Sequence, residues 1–112
     1  MFFPGGLGVV PWMVPGGTEI ARASCVQMEK YDAVVWGFHG MFVAGEDFDS
    51  AFGMMQVIEK ACHIASVVLS AAHGEKCRQH ITDDDLRRIG RELGLTLNED
   101  VLRSQADKEL FG

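Results

Sequence analysis

The sequence has no C-x-x-C pair, no H-x-H and no H-E-x-x-H. Each absence removes a self-contained metal site, because such sites gather their ligands at these short spacings. Cysteine is scarce and odd in number, with Cys25, Cys62 and Cys77 standing apart. Isolated thiols fit reduced, small apolar residues of a cytoplasmic protein better than a disulfide framework. Basic residues are also few: 10 Lys and Arg oppose 16 Asp and Glu, for a net charge of −6, and none precedes Arg22. An acidic chain has no general attraction for nucleic acid or for an anionic membrane surface, so neither is expected as a partner. The apolar opening, residues 1–17, lacks the basic residue of a signal peptide, and its Gly and Pro residues break the helix such a peptide needs. The longest apolar helical stretch, Ala61–Ala72, is short and contains His63. No membrane span is expected from it. Internal repeats, low-complexity segments and linkers are missing as well.

What remains is 112 residues, of which 47% are hydrophobic. That is enough for one small ordered domain. The opening Met1-Phe2-Phe3 and the Val-rich run after it want neighbours on both sides, unlike the solvated start of an independent domain. The expectation is a chain that begins inside a fold whose upstream half is absent. An exposed apolar surface near Phe2, Phe3, Val9 and Val35 should result.

Residues 2–14 read as strand segments broken by Gly5-Gly6, Gly8 and Pro11, with a turn at Pro15-Gly16-Gly17. Thr18 is a candidate N-cap for a helix over 19–30, with Glu19 in its first turn. Residues 33–38 form an apolar run without alternation, as expected of a central strand covered on both faces, and it ends at His39-Gly40. Glu46 to Asp49 open a long helix. Along it Ala51, Met54, Ile58, Ala61, Ala65, Val68 and Ala72 make a stripe expected to be buried, and Gly74 is its C-cap. Thr82 with Asp85 forms a capping box, Ile81 and Leu86 stand at staple positions, and Gly94 ends that helix. Asn98 caps a last helix through Leu110. Alternating strands and helices predict an α/β fold with a sheet flanked by helices, incomplete in this chain because so few strands are present.

Four histidines offer ligands. His63, beside Glu59 and Lys60, reads as solvated on a helix face. His73 stands at a helix end, where a cation is favoured without chemistry. His80 reads as exposed. His39 differs, lying at the end of a buried strand and preceding a glycine that could turn sharply and approach a ligand. It is either a functional residue or a satisfied, half-buried histidine. Trp12 and Trp36 read as packing residues, and Met54 and Met55 as core or interface fillers. Gly5-Gly6-x-Gly8 opens no helix and is not a phosphate fingerprint.

The wording of the chain is more specific than its chemistry. Phe3-Pro4-x-Gly6-x-Gly8-Val9-Val10-Pro11-Trp12-Met13-Val14-Pro15-Gly16 closely resembles a segment of the L-rhamnulose-1-phosphate aldolases, and so does Val34-Val35-Trp36-Gly37-Phe38-His39-Gly40-Met41-Phe42. The likeness continues through Asp49, Phe52-Gly53, Glu59-Lys60 and Gln79-x-Ile81-Thr82, and covers Phe3 to about Leu95. The histidine-glycine element with Gly45 resembles the wider class II aldolase/adducin superfamily. Gly16-Gly17-Thr18-Glu19 and the stretch from Asn98 to Gly112 depart from the pattern.

The resemblance implies a three-layer α/β/α fold, with residues 1–112 as the C-terminal part of a class II aldolase domain. It implies zinc as cofactor, His39 as one zinc histidine, and the other ligands, the acid/base glutamate and the phosphate loops elsewhere. The implied reaction cleaves L-rhamnulose 1-phosphate to dihydroxyacetone phosphate and L-lactaldehyde in a homotetramer, with zinc as Lewis acid and the fragment inactive alone. The alternative is a non-catalytic remnant or assembly module of adducin type.

Overall fold

The computed structural model describes residues 3–72 and 79–102. In chain order these form β1 (Gly8–Val10), α1 (Thr18–Met28), β2 (Ala33–Trp36), β3 (Gly40–Val43), α2 (Phe48–Ala72), α3 (Asp83–Leu93) and α4 (Glu99–Leu102). The sheet runs β1-β2-β3, with β1 parallel to β2 and β2 antiparallel to β3. An α/β arrangement is therefore present, and β2 is the middle strand, as its apolar run predicts. The strand ends at Trp36 rather than Phe38, and Gly40–Val43 is a strand that the sequence reading does not contain.

Register decides which side of the sheet is filled. Val10 pairs with Trp36 and Val34 with Phe42, which places these four on one face. α1 packs there: Val10, Val34 and Ile20 form the buried cluster, with Met13, Ala23, Met28 and Trp36 partly buried against it. On the other face Val9 is 62% exposed, whereas Ala33 is fully buried. β2 is thus not covered along its whole length on both sides. Of the residues expected at an open apolar surface, Val9 is exposed, Phe3 and Val35 are half-buried, and Phe2 lies outside the described residues.

Helix ends correct and support the expectations in turn. Gly17, not Thr18, is the N-cap of α1, and no side chain caps it; Thr18 is already helical. Asp47, just before α2, accepts a hydrogen bond from the Ser50 N–H at 2.7 Å, while the Asp47 N–H donates to Ser50 Oγ at 3.1 Å. The Thr82–Asp85 capping box closes as predicted, and Gly94 ends α3 in the left-handed conformation at φ 66°. Ile81 nevertheless remains 65% exposed, so the staple does not shelter it. Asn98 Oδ1 accepts from the Asp100 N–H at 3.0 Å, as a cap of α4 should. The Asn98 N–H also donates to the Pro4 carbonyl at 2.9 Å, and its side-chain amide donates to the Gly5 carbonyl at 3.2 Å. The Arg87 guanidinium joins α3 to α4 by binding Asp84 and Glu99, each at 3.0 Å. Gly74 and the stretch from Ala106 to Leu110 fall outside the described residues.

α2 requires two corrections. Its stripe is half-buried at Ala51, Met54, Ala65 and Ala72, but Ala61 and Val68 are exposed, and Ile58 alone among its described residues is fully buried. Its 25 residues are also long and apolar enough to cross a membrane by length and composition, with a mean hydropathy of 1.3 over its most apolar part. A reading confined to Ala61–Ala72 underestimates the helix, because the apolar segment begins at Phe48. The same composition suits a core helix in a larger fold, and α2 packs along β3 here.

Candidate functional site

His39 belongs to the turn that joins β2 to β3. Its backbone N–H donates to the Trp36 carbonyl at 3.1 Å, closing a four-residue turn over Gly37 and Phe38. Turns whose third residue has a positive φ usually give that position to glycine. Here Phe38 takes it, at φ 60°, with its ring fully exposed. Gly37 serves a different purpose. A Cβ there would lie 3.2 Å from the Trp12 nitrogen, so glycine is needed for close backbone approach, and its N–H donates to the Val10 carbonyl at 3.0 Å. Gly40, expected to make the sharp turn, is the first residue of β3 and has no positive φ.

The His39 side chain is exposed rather than half-buried. Its imidazole stacks on the Trp36 indole with centroids 5.4 Å apart and planes 22° apart. Phe42 meets the same indole edge-on at 4.6 Å. The Trp36 Nε1–H donates to Ser24 Oγ at 2.8 Å, and the Ser24 hydroxyl donates to the Ile20 carbonyl at 2.7 Å. No hydrogen bond or ion pair among the described residues engages either ring nitrogen of His39. An apolar hollow between α1 and the sheet shares Trp36 and Phe42 with this cluster, and Ile20, Ser24, Cys25 and Met28 help to line it.

The remaining candidates stand apart. His63 is exposed on α2, in a shallow groove with Glu59 and Lys60, as its helix position predicts. His80 is exposed, and His73 lies outside the described residues. Cys25 and Cys62 are unpaired and exposed rather than packed, and Cys77 lies outside the described residues. Trp12, expected to pack, is 62% exposed. Trp36 was legible as a packing residue, but not as the stacking partner of His39. The missed signal is the spacing W-x-x-H across a tight turn, which returns the fourth residue toward the first.

Residues 1–66 match the family model described as the class II aldolase and adducin N-terminal domain. The chain belongs to the class II aldolase and adducin family. Within that family it is similar to proteins named rhamnulose-1-phosphate aldolase. One from Salmonella paratyphi B is 38% identical over 94 residues, covering 84% of this chain and 33% of the relative. One from Listeria monocytogenes is 37% identical over 93 residues, covering 83% and 33%. One from Pectobacterium carotovorum is 41% identical over 101 residues, covering 90% and 36%. The chain thus spans about a third of the length of the curated relatives it matches.

Class II aldolases are generally zinc-dependent, so the fit of a zinc ion bears on this site. Catalytic zinc takes about three protein ligands. Among the described residues no group of three His, Cys, Asp or Glu side chains converges. His39, with an exposed ring whose nitrogens no described residue engages, fits one ligand position. The described residues do not themselves fit a complete centre.

Proposed function

We propose that this chain is the C-terminal part of a zinc-dependent rhamnulose-1-phosphate aldolase, with His39 as one of the zinc ligands. The observation that carries this reading is the 41% identity, over 90% of the chain, to a protein of that name. That no described residue engages the His39 imidazole nitrogens supports the ligand role. The complete enzyme would cleave L-rhamnulose 1-phosphate to dihydroxyacetone phosphate and L-lactaldehyde. Zinc would supply Lewis-acid polarisation of the substrate oxygens. This chain contributes one donor, held on a short turn between two strands of the sheet. The remaining ligands, the acid/base group and the phosphate site come from polypeptide beyond it.

The three-layer fold, the homotetramer and a cytoplasmic location belong to the same proposal. The half-covered sheet supports further layers, since a face bearing Val9 favours burial. The exposed apolar side of α2 would meet protein rather than lipid, because the matched relatives hold about twice as much further sequence. Unpaired Cys25 and Cys62 are compatible with a reducing compartment.

The test is to join this chain to those parts of the Pectobacterium relative that it does not span. Zinc content is then measured beside a coupled assay for dihydroxyacetone phosphate. His39→Ala should lower metal occupancy and product formation together, and His63→Ala should lower neither. The unjoined chain should be inactive. Full occupancy and activity in His39→Ala would overturn the ligand assignment. An inactive, metal-free joined protein that folds and assembles would favour a non-catalytic assembly module instead.

A further inference from the structure

We infer that Ser24 is a positioning residue for the His39 imidazole, acting through the Trp36 indole. The inference rests on the reading of His39 as a metal donor. An exposed imidazole at the tip of a hairpin is free to rotate about two side-chain bonds, and a donor in that state must be ordered at the moment of binding. Ligating histidines are commonly oriented by a hydrogen bond to the ring nitrogen that does not bind the metal. No described residue makes that bond to His39.

Orientation comes instead from the face of the ring. The Trp36 indole lies under the imidazole at 5.4 Å and 22°. A stack of this kind restricts rotation while leaving the ring edge, which carries both nitrogens, open to a ligand. It can do so only if the indole is itself fixed. Trp36 sits at the end of β2, and Phe42 on β3 closes against one side of it at 4.6 Å. Its polar edge is held by Ser24 Oγ at 2.8 Å, and Ser24 is fixed in turn by the Ile20 carbonyl at 2.7 Å. Ile20 is 2% exposed, in the cluster with Val10 and Val34. A helical serine bonded to the carbonyl four residues earlier is common and implies nothing alone. The serine oxygen here has a second task, because it accepts the indole proton. A continuous path of contacts therefore runs from the buried core, through α1, to an exposed ring whose nitrogens no described residue engages.

The test uses the full chain with carbon-labelled histidine and reads the imidazole C–H resonances. The indole ring current should shift the His39 signals upfield of those of His63, which is exposed on α2. Ser24→Ala should move the His39 signals most of the way toward those of His63, and Ser24→Thr, which keeps the hydroxyl, should retain the shift. Unmoved His39 signals in Ser24→Ala would overturn the inference. So would a movement of all histidine signals together, because Ser24 would then act on the fold rather than on one ring. Adding zinc to the joined protein, with and without Ser24→Ala, separates this inference from the ligand assignment. There zinc should perturb His39 and not His63, with severalfold weaker apparent affinity when Ser24→Ala is present. If zinc in the joined protein perturbs His39 no more than His63, the ligand assignment fails, while the ring-current comparison in this chain still decides the role of Ser24.

Discussion

Thr82 and Asp85 bind one another reciprocally at the start of α3. Thr82 Oγ1 accepts the Asp85 N–H at 3.2 Å, while Asp85 Oδ2 accepts the Thr82 N–H at 3.1 Å and the Thr82 hydroxyl at 2.7 Å. Two amides that a helix start would leave unpaired are satisfied by three residues' reach. Thr82→Ala should therefore lower stability by about 1 kcal/mol, and Thr82→Ser should restore most of it. Denaturant melts of the three proteins measure this, and an unchanged midpoint in Thr82→Ala would mean that the cap contributes nothing.

The same pair gives α3 a dependence on pH. The Thr82 side-chain hydrogen bond, followed by its backbone hydrogen bond, holds the Asp85 carboxyl below its ordinary value of 3.8. A carboxyl lowered in the folded state stabilises fully above its unfolded value, about 4. That stabilisation is lost as the pH falls through the lowered value. Helicity followed by circular dichroism should decline in this acid range. The decline should be smaller in Asp85→Asn, in which the group no longer titrates. Asp47, lowered by its Ser50 hydrogen bonds, should act in the same direction at α2.

Two glycines should respond oppositely to alanine. A Cβ on Gly45 would lie 2.8 Å from both the Ala51 nitrogen and Ser50 Oγ, where backbone must shift to admit it. Gly45→Ala should destabilise by about 1–3 kcal/mol, the usual scale of overpacking. Gly53 lies within α2 with open space around its Cβ position. Gly53→Ala should stabilise by about 1 kcal/mol through helix propensity. Thermal melts of the pair check both signs.

Phe38 bears the cost of the turn beside His39. Left-handed backbone disfavours a residue with a Cβ by roughly 1–2 kcal/mol, and a fully exposed ring has little packing to lose. Phe38→Gly should raise the melting midpoint. Gly37→Ala should lower it, because its Cβ would press on the Trp12 nitrogen at 3.2 Å. A lowered midpoint in Phe38→Gly would mean that the exposed ring has packing the structure does not show.

Local signals were legible at both ends of α3 and at the start of α4. Thr82, Asp85, Gly94 and Asn98 stand where their capping chemistry predicts. The middle position of β2 followed from its lack of alternation. β3 escaped notice because Gly40–Val43 is four residues whose pattern gains meaning only from pairing with β2. Thr18 was misplaced by one position because Gly17 takes the extended cap conformation without contributing a side chain. At the site, His39 was singled out by its place after an apolar run. Its exposure and its stack on Trp36 were not legible, since both follow from a turn built on Phe38 rather than on the neighbouring glycines.

The clasp of Asn98 on Pro4 and Gly5 has a consequence for the order of folding. It joins residues 93 positions apart, so its loop-closure entropy must be met before the contact returns any energy. The caps of α3 and α4 and the β2–β3 hairpin draw on neighbours only a few residues away and can form early. The clasp is thus expected to form late. Joining the two extremities of the described chain, the Asn98 amide should gain exchange protection during refolding after the Asp85 amide of the α3 cap does.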